Sequence, residues 1–223
     1  MTTRAAVFDV DGTLADTNHL HVTAWWEAFR QAGHDVPMHA IHRSIGLGGH
    51  DLIARLLGED RDKGQDDALS NAHKTLYGTY FDRLPAFHDA GRLLRTLAAG
   101  GWTVVLATSA GGGELSALRR AIDADDAISA TASADDVAQG KPAPDPVRQA
   151  LELAGARAGD SVFVGDTVWD MQAGTRAGVT CVGLLCGGIP RADLTEAGAA
   201  VIHDDPADLL AHLDDGPLRG TTS

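Results

Sequence analysis

Hydrophobic and polar positions divide the chain into two unlike stretches. Between residues 15 and 86 apolar residues recur at helical spacing, and no run of strand type interrupts them. Val22, Trp25, Trp26 and Phe29 fall on one face of a predicted helix over residues 19–32. Asp16-Thr17-Asn18 supplies its capping residues and Gly33 ends it. Further helices are predicted over 39–45, 50–57 and 66–83, with Gly46-Leu47-Gly48-Gly49 as a flexible turn between the first two. The remainder alternates. Short apolar runs at 5–8, 102–107, 128–131, 161–164, 180–184 and 200–203 predict strands. Helical patterns over 91–99, 114–122, 146–154 and 170–177, near 192, and over 208–213 separate the later ones.

Strands that alternate with helices imply right-handed βαβ units and a parallel sheet covered on both faces. The fold class is therefore α/β: a doubly wound, Rossmann-like parallel sheet carrying an inserted α-helical domain. The predicted division is 1–15 and 87–223 for the core and 16–86 for the insert. The tail after residue 214 is polar and is expected to fray.

Candidate chemistry sits where apolar runs end. The run at 5–8 breaks into Asp9-Val10-Asp11-Gly12-Thr13. Side chains at i and i+2 of a strand point the same way, so Asp9 and Asp11 project together beyond its carboxyl end, where open α/β sheets hold ligands. A turn alone explains Asp11-Gly12 but not Asp9, a charge placed where the strand pattern is still running. The run 102–107 ends in Thr108-Ser109, either a helix cap or a hydroxyl and amides presented to a phosphate. Lys141 lies in a stiff loop with Gly140 and three prolines, Pro142, Pro144 and Pro146. The run 161–164 ends in Gly165-Asp166-Thr167, followed by Asp170. If that strand neighbours the first, Asp166 faces Asp9 and Asp11. Acids without cysteine or paired histidines make an oxygen-ligand site suited to Mg²⁺.

Composition narrows the partners. The chain has 223 residues, 44% hydrophobic and 22% charged, ordinary for a soluble globular protein. A formal net charge of −13 disfavours nucleic acid and anionic membranes, and obliges any anionic substrate to find local positive charge. No apolar run reaches the length of a membrane span, and the N-terminal residues carry no signal-peptide pattern. Cys181 and Cys186 read as thiols of a reducing compartment. A cytoplasmic monomer or homodimer is the expectation.

With these residues in this order, the chain resembles the haloacid dehalogenase-like (HAD) hydrolase superfamily. Asp9-Val10-Asp11-Gly12-Thr13 matches its first motif, Thr108 its second, Lys141 its third, and Gly165-Asp166 with Asp170 its fourth. The insert resembles the small helical cap of the phosphoglycolate phosphatase and β-phosphoglucomutase branch. Asp16-Thr17, His21 and Ala24-Trp25 resemble mutase-like members.

The resemblance implies a Mg²⁺-dependent phosphatase acting on the phosphomonoester of a small metabolite. Asp9 would be the nucleophile that forms an aspartyl-phosphate. Asp11 would be the acid and base, a role that requires it protonated when substrate binds, with its pKa raised by the crowded acidic setting. The metal would be held by the carboxylates of Asp9 and Asp166 and the carbonyl of Asp11. Gly12, Thr13, Thr108, Ser109 and Lys141 would bind phosphate, and Asp170 would orient Lys141 or a metal-bound water. The cap would close by hinging near Asp16 and Pro85, with His21 and Gly49 as its possible contacts to the site. His19, His39 and His42 are expected in solvent, and Trp25 and Trp26 in packing.

Three other readings share parts of this pattern. A phosphomutase would need a cation in the cap for a distal phosphate. Glycine stands where its arginine is expected, with Arg43 or Arg55 as substitutes. A phospho-accepting signalling domain combines similar groups but is shorter and lacks an insert. A dehalogenase needs neither the metal nor an acid two residues after its nucleophile.

Overall fold

A computed structural model describes residues 3–133 and 139–220. Its centre is a six-stranded sheet in the order β3-β2-β1-β4-β5-β6. The strands are β1 (Ala5–Phe8), β2 (Thr103–Ala107), β3 (Ile128–Ala132), β4 (Val162–Gly165), β5 (Thr180–Leu184) and β6 (Ala199–His203), and every pairing is parallel. Strand β1 lies between β2 and β4 and is buried throughout.

Alternation along the inner strands feeds two cores. Ala6, Phe8, Val104, Leu106, Val162 and Val164 pack on one face of the sheet. Ala5, Val7, Val105, Ala107 and Phe163 pack on the other. The covering helices are α5 (Ala90–Ala99), α6 (Gly112–Ile122), α7 (Asp145–Ala154), α8 (Val168–Ala177), α9 (Arg191–Ala197) and α10 (Pro206–Ala211).

Residues between β1 and α5 form the helical insert: α1 (Asn18–Gln31), α2 (Met38–His42), α3 (Gly49–Leu57) and α4 (Asp66–Gly78). It has a core of its own, built from Val22, Trp25, Phe29, Ile41, Ile45, Leu52, Ile53 and Leu69. The chain enters and leaves it side by side. The Asp16 amide donates to the Pro85 carbonyl at 2.9 Å and the Phe87 amide to the Leu14 carbonyl at 2.9 Å. Because both crossing segments are paired, the insert joins the sheet through a two-stranded neck.

Element boundaries differ from the sequence expectations at a few ends. The expected helix over 66–83 stops at Gly78 and resumes only as a 3₁₀ turn, Phe81–Arg83. Helix α10 starts before 208, because Asp205 accepts from the Asp208 amide at 2.8 Å and Pro206 occupies the first turn, where no amide is needed. Residues 215–219 pack against the core where fraying was expected. Leu218 is buried in the core, and Arg4 donates to the Arg219 carbonyl at 3.1 Å. Residues 221–223 lie outside the described residues.

Leu106 is fully buried beside β1. Leu106→Ala should lower unfolding stability by roughly 2–5 kcal/mol, read as a fall in the urea midpoint at unchanged slope.

Candidate active site

The end of β1 positions the first acid. The Asp9 amide donates to the Val164 carbonyl at 2.9 Å, so sheet pairing runs one residue past the strand. Gly12 then turns the chain at φ +78°, a conformation costly to any residue with a Cβ. These constraints bring Asp9 beside the end of β4, where Asp166 and Asp170 lie.

Lys141 ties the acids together. Its ammonium contacts Asp9 Oδ1 and lies 2.7 Å from Asp170 Oδ1. All three side chains are buried. The Lys141 loop is pinned from outside, with Arg176 donating to the Pro142 carbonyl at 2.6 Å. Burial alone would make the lysine easier to deprotonate. The carboxylates of Asp170 and Asp9 reverse that and hold its pKa above the usual lysine value. Asp170 reaches it from the first turn of α8. There it forms a reciprocal cap with Thr167, whose amide donates to Asp170 Oδ2 at 3.0 Å.

Among the described residues the hydrogen-bond partners of Asp166 are uncharged. Its Oδ1 accepts from the Thr13 hydroxyl at 2.9 Å and its Oδ2 from Asn18 Nδ2 at 2.8 Å. Burial, then the Asp170 and Asp9 carboxylates, push its pKa well above the carboxylate range. Burial likewise pushes Asp9 up to about 7, against the pull of Lys141. Ligand oxygens of Asp9, Asp166 and Asp170 lie within 4.8 Å of one another. The ammonium contacts two of these carboxylates, Asp9 and Asp170, and the donors of the cluster are all oxygen. The cluster is therefore compatible with a hard divalent metal.

Asp11 faces the other way, toward the insert. It accepts from the Thr17 hydroxyl at 2.6 Å and lies 3.2 Å from His21 Nε2. Here an expectation is corrected. Burial favours the protonated acid, but His21 and the Thr17 hydroxyl outweigh it and hold Asp11 below its ordinary pKa. His21, also buried, is raised in turn by Asp11 and by Glu114. The proton of the pair rests on the imidazole. Thr17, expected to cap α1, makes no capping bond and donates to Asp11 and the Ala15 carbonyl instead.

These groups border a cavity of about 370 Å³ between the sheet edge and the insert. Asp9, Asp11, Thr108, Ser109 and Lys141 line its floor, and His21 and Gly49 line it from the insert. The Thr108 hydroxyl accepts from the Ala110 amide at 3.0 Å. Gly12 and Thr13 do not line the cavity, and the Thr13 hydroxyl is buried against Asp166 and Asp9. Trp25 both packs in the insert core and lines the cavity, stacked on His73 at 4.1 Å. His42 lies against the sheet domain, its Nε2 3.0 Å from the Gly187 carbonyl, whereas His19 and His39 are exposed. Neither arginine considered for a distal phosphate borders the cavity. Arg43 pairs with Asp193, and Arg55 lies over the Trp169 ring at 4.9 Å.

Sequence reading passed over several of the residues assembled here. Asn18 was counted only as a cap; it links Asp166 to the Gly187 carbonyl, at 3.1 Å from the latter. Glu114 and His73 carry no motif. They meet His21, Glu114 at 3.6 Å and His73 at 3.1 Å. Their only sequence signal was polarity on otherwise amphipathic helices.

A parallel sheet with an acidic, lysine-bridged pocket at its carboxyl edge, facing a helical insert, defines a Rossmann-like hydrolase scaffold. Residues 3–178 match the family model "haloacid dehalogenase-like hydrolase". The chain belongs to this family. It is 29% identical over 219 residues to a phosphoglycolate phosphatase of Rhodospirillum rubrum, covering 92% of this chain and 89% of that protein. A phosphoglycolate phosphatase of Nitrosospira multiformis is 30% identical, over 80% and 82% of the two chains. The crystal structure of a hydrolase from Pseudomonas syringae superposes with a TM-score of 0.90 at 36% identity, covering 96% of this chain and 99% of that one. The protein is an enzyme of the phosphatase type within the family.

The Asp11–His21 pair makes a pH prediction. A raised folded pKa means that the His21 contribution to stability is complete below the unfolded value of about 6.5 and is lost as pH rises through the folded value. In Asp11→Asn, burial should dominate and the His21 midpoint should fall. Imidazole-proton NMR titration reads this directly. A midpoint equal to wild type would show that Asp11 does not hold that proton.

Proposed function

We propose that the protein hydrolyses the phosphomonoester of a small metabolite through an aspartyl-phosphate on Asp9, with Mg²⁺ as cofactor. The observation that carries this is the cavity floor. A buried carboxylate, an ammonium and two hydroxyl-bearing residues, Thr108 and Ser109, border the same space.

In the first step an Asp9 oxygen forms a bond to phosphorus while the bond from phosphorus to the leaving oxygen breaks. The leaving oxygen takes the proton held between Asp11 Oδ1 and His21 Nε2. This arrangement lets Asp11 act as an acid although its own pKa is low, because the imidazole stores the proton beside it. In the second step a water oxygen attacks phosphorus, the bond from Asp9 breaks, and a water proton returns to the pair. Lys141 and the hydroxyls hold phosphate oxygens, and Asp170 keeps Lys141 in place. Asp9 and Asp166 would hold Mg²⁺ together with the Asp11 carbonyl, since the Asp11 carboxylate is engaged by Thr17 and His21. When bound, the ion supplies charge that offsets repulsion between Asp9 and the phosphate.

Residues 16–86 act as a cap that closes over the substrate and excludes water, moving on the neck near Asp16 and Pro85. A compact cavity under such a cap favours small substrates. Similarity to phosphoglycolate phosphatases makes 2-phosphoglycolate the first candidate. Lys74 lines the cavity from the insert and supplies positive charge for its carboxylate. Arg43 and Arg55, engaged elsewhere, lend no support to a mutase reaction.

A panel of phosphorylated metabolites assayed with and without Mg²⁺ tests the proposal. Phosphate release should require the metal, and hexose 1-phosphates should not be isomerised. Asp9→Asn should lose roughly a thousandfold or more in turnover while keeping its fold by circular dichroism; normal turnover would remove Asp9 as nucleophile. Lys74→Ala should raise KM for 2-phosphoglycolate more than for an uncharged alkyl phosphate. Equal effects on both would separate Lys74 from carboxylate recognition.

A further inference from the structure

A second constellation of ligating side chains lies at the β6 edge of the sheet, and none of it borders the catalytic cavity. His203 is the last residue of β6, Asp208 lies in the first turn of α10, and His212 follows that helix. Asp208 and His212 are four apart and so share one helix face. The return from β6 into α10 brings His203 to them. Asp208 Oδ2 lies 3.0 Å from His203 Nδ1, and Asp208 Oδ1 lies 3.1 Å from His212 Nδ1. The two imidazoles stack with centroids 5.8 Å apart and planes at 28°. One ligand atom from each of the three residues lies within 4.8 Å of the other two.

We propose that His203, Asp208 and His212 form a metal site for a borderline transition ion of the Zn²⁺ class. Two imidazole nitrogens and one carboxylate suit such an ion, in contrast to the all-oxygen cluster around Asp166. Bonds of about 2.0–2.1 Å in a tetrahedron place neighbouring donors about 3.3 Å apart. Each imidazole Nδ1 already stands close to that separation from one of the two Asp208 carboxylate oxygens. An entering ion replaces the hydrogen bonds of His203 Nδ1 to the Asp208 carboxylate and of His212 Nδ1 to the Asp208 carbonyl by bonds to itself; a charged imidazole gives its Nδ1 proton to solvent and a neutral one carries it on Nε2 instead. The fourth position remains for water or for Asp215, on the rim of the depression of about 280 Å³ that these residues border.

The surroundings fit a site more readily than a simple helix tie. His203 is largely buried, which keeps its imidazole in a fixed place beside Asp208. The Asp204 amide already donates to Asp208 Oδ2 at 3.0 Å, so the start of α10 is held without either histidine. A bound ion would clamp the exposed edge strand β6 to the last helix.

The test uses the whole protein, stripped with a chelator and kept in excess Mg²⁺ so that the catalytic cluster is saturated. Zinc chloride is titrated into wild type, His212→Gln and His203→Gln by calorimetry, with melting temperature read in parallel. Wild type should bind one more equivalent of zinc than either variant, and its zinc-induced rise in melting temperature should be absent from both. His212 is half exposed, so His212→Gln should keep the metal-free melting temperature and the Mg²⁺-dependent activity. Zinc binding of equal stoichiometry and affinity in all three proteins would overturn the proposal, as would wild type that binds none.

Discussion

The contact on which the site depends is the bridge from Lys141 to Asp9 and Asp170. Three carboxylates, Asp9, Asp166 and Asp170, are enclosed at one edge of the sheet. Burying even one unpaired charge is costly, and removing one partner of a buried pair typically costs about 3–5 kcal/mol. One ammonium between two of the acids makes the enclosure tolerable and leaves Asp166 to polar partners. The lysine can do this only because its loop is held by Arg176 and because the Thr167 cap aims Asp170 at it. A helix cap, a loop anchor and a buried ion pair thus act as one unit whose output is the position of Asp9.

The second acid of the motif belongs to the insert as much as to the sheet. Asp11 meets Thr17 and His21, on the first residues beyond the neck, and His21 continues to His73 on α4. Tyr77 stacks on His21 at 3.8 Å and Trp25 stacks on His73, which holds the two imidazoles in place. Burial and the neighbouring His21 push His73 well below the usual histidine pKa. The charge of the line therefore resides at the Asp11 end. The proton affinity of Asp11 is coupled to where the insert stands, since His21, which lowers it, is carried by the insert. Asn18 adds a second tie, from the same helix to Asp166 and the Gly187 carbonyl.

Much of this was legible along the chain. The positions of all six strands and the absence of strands from the insert followed from periodicity, because a parallel sheet buried on both faces demands unbroken apolar runs. Asp9, Lys141, Asp166 and Asp170 stood out because charge is rare at the end of such a run or within a rigid loop. Thr13 was legible as part of a motif, yet its hydroxyl lies buried between carboxylates and away from the cavity. Residues 215–219 pack although Asp215 and Arg219 are charged, because one buried leucine, Leu218, outweighs its neighbours.

What the chain determined by itself is therefore the layered fold and the types of charged group at the carboxyl edge, both consequences of local patterning. Only the tertiary structure decided which of those groups touch and where the protons rest. Asp11, flanked by acids in sequence, meets an imidazole and a hydroxyl in space, and its proton affinity moves opposite to the expectation. Side-chain partners at long sequence separation set electrostatics through distance and burial, and neither quantity is written in the order of residues.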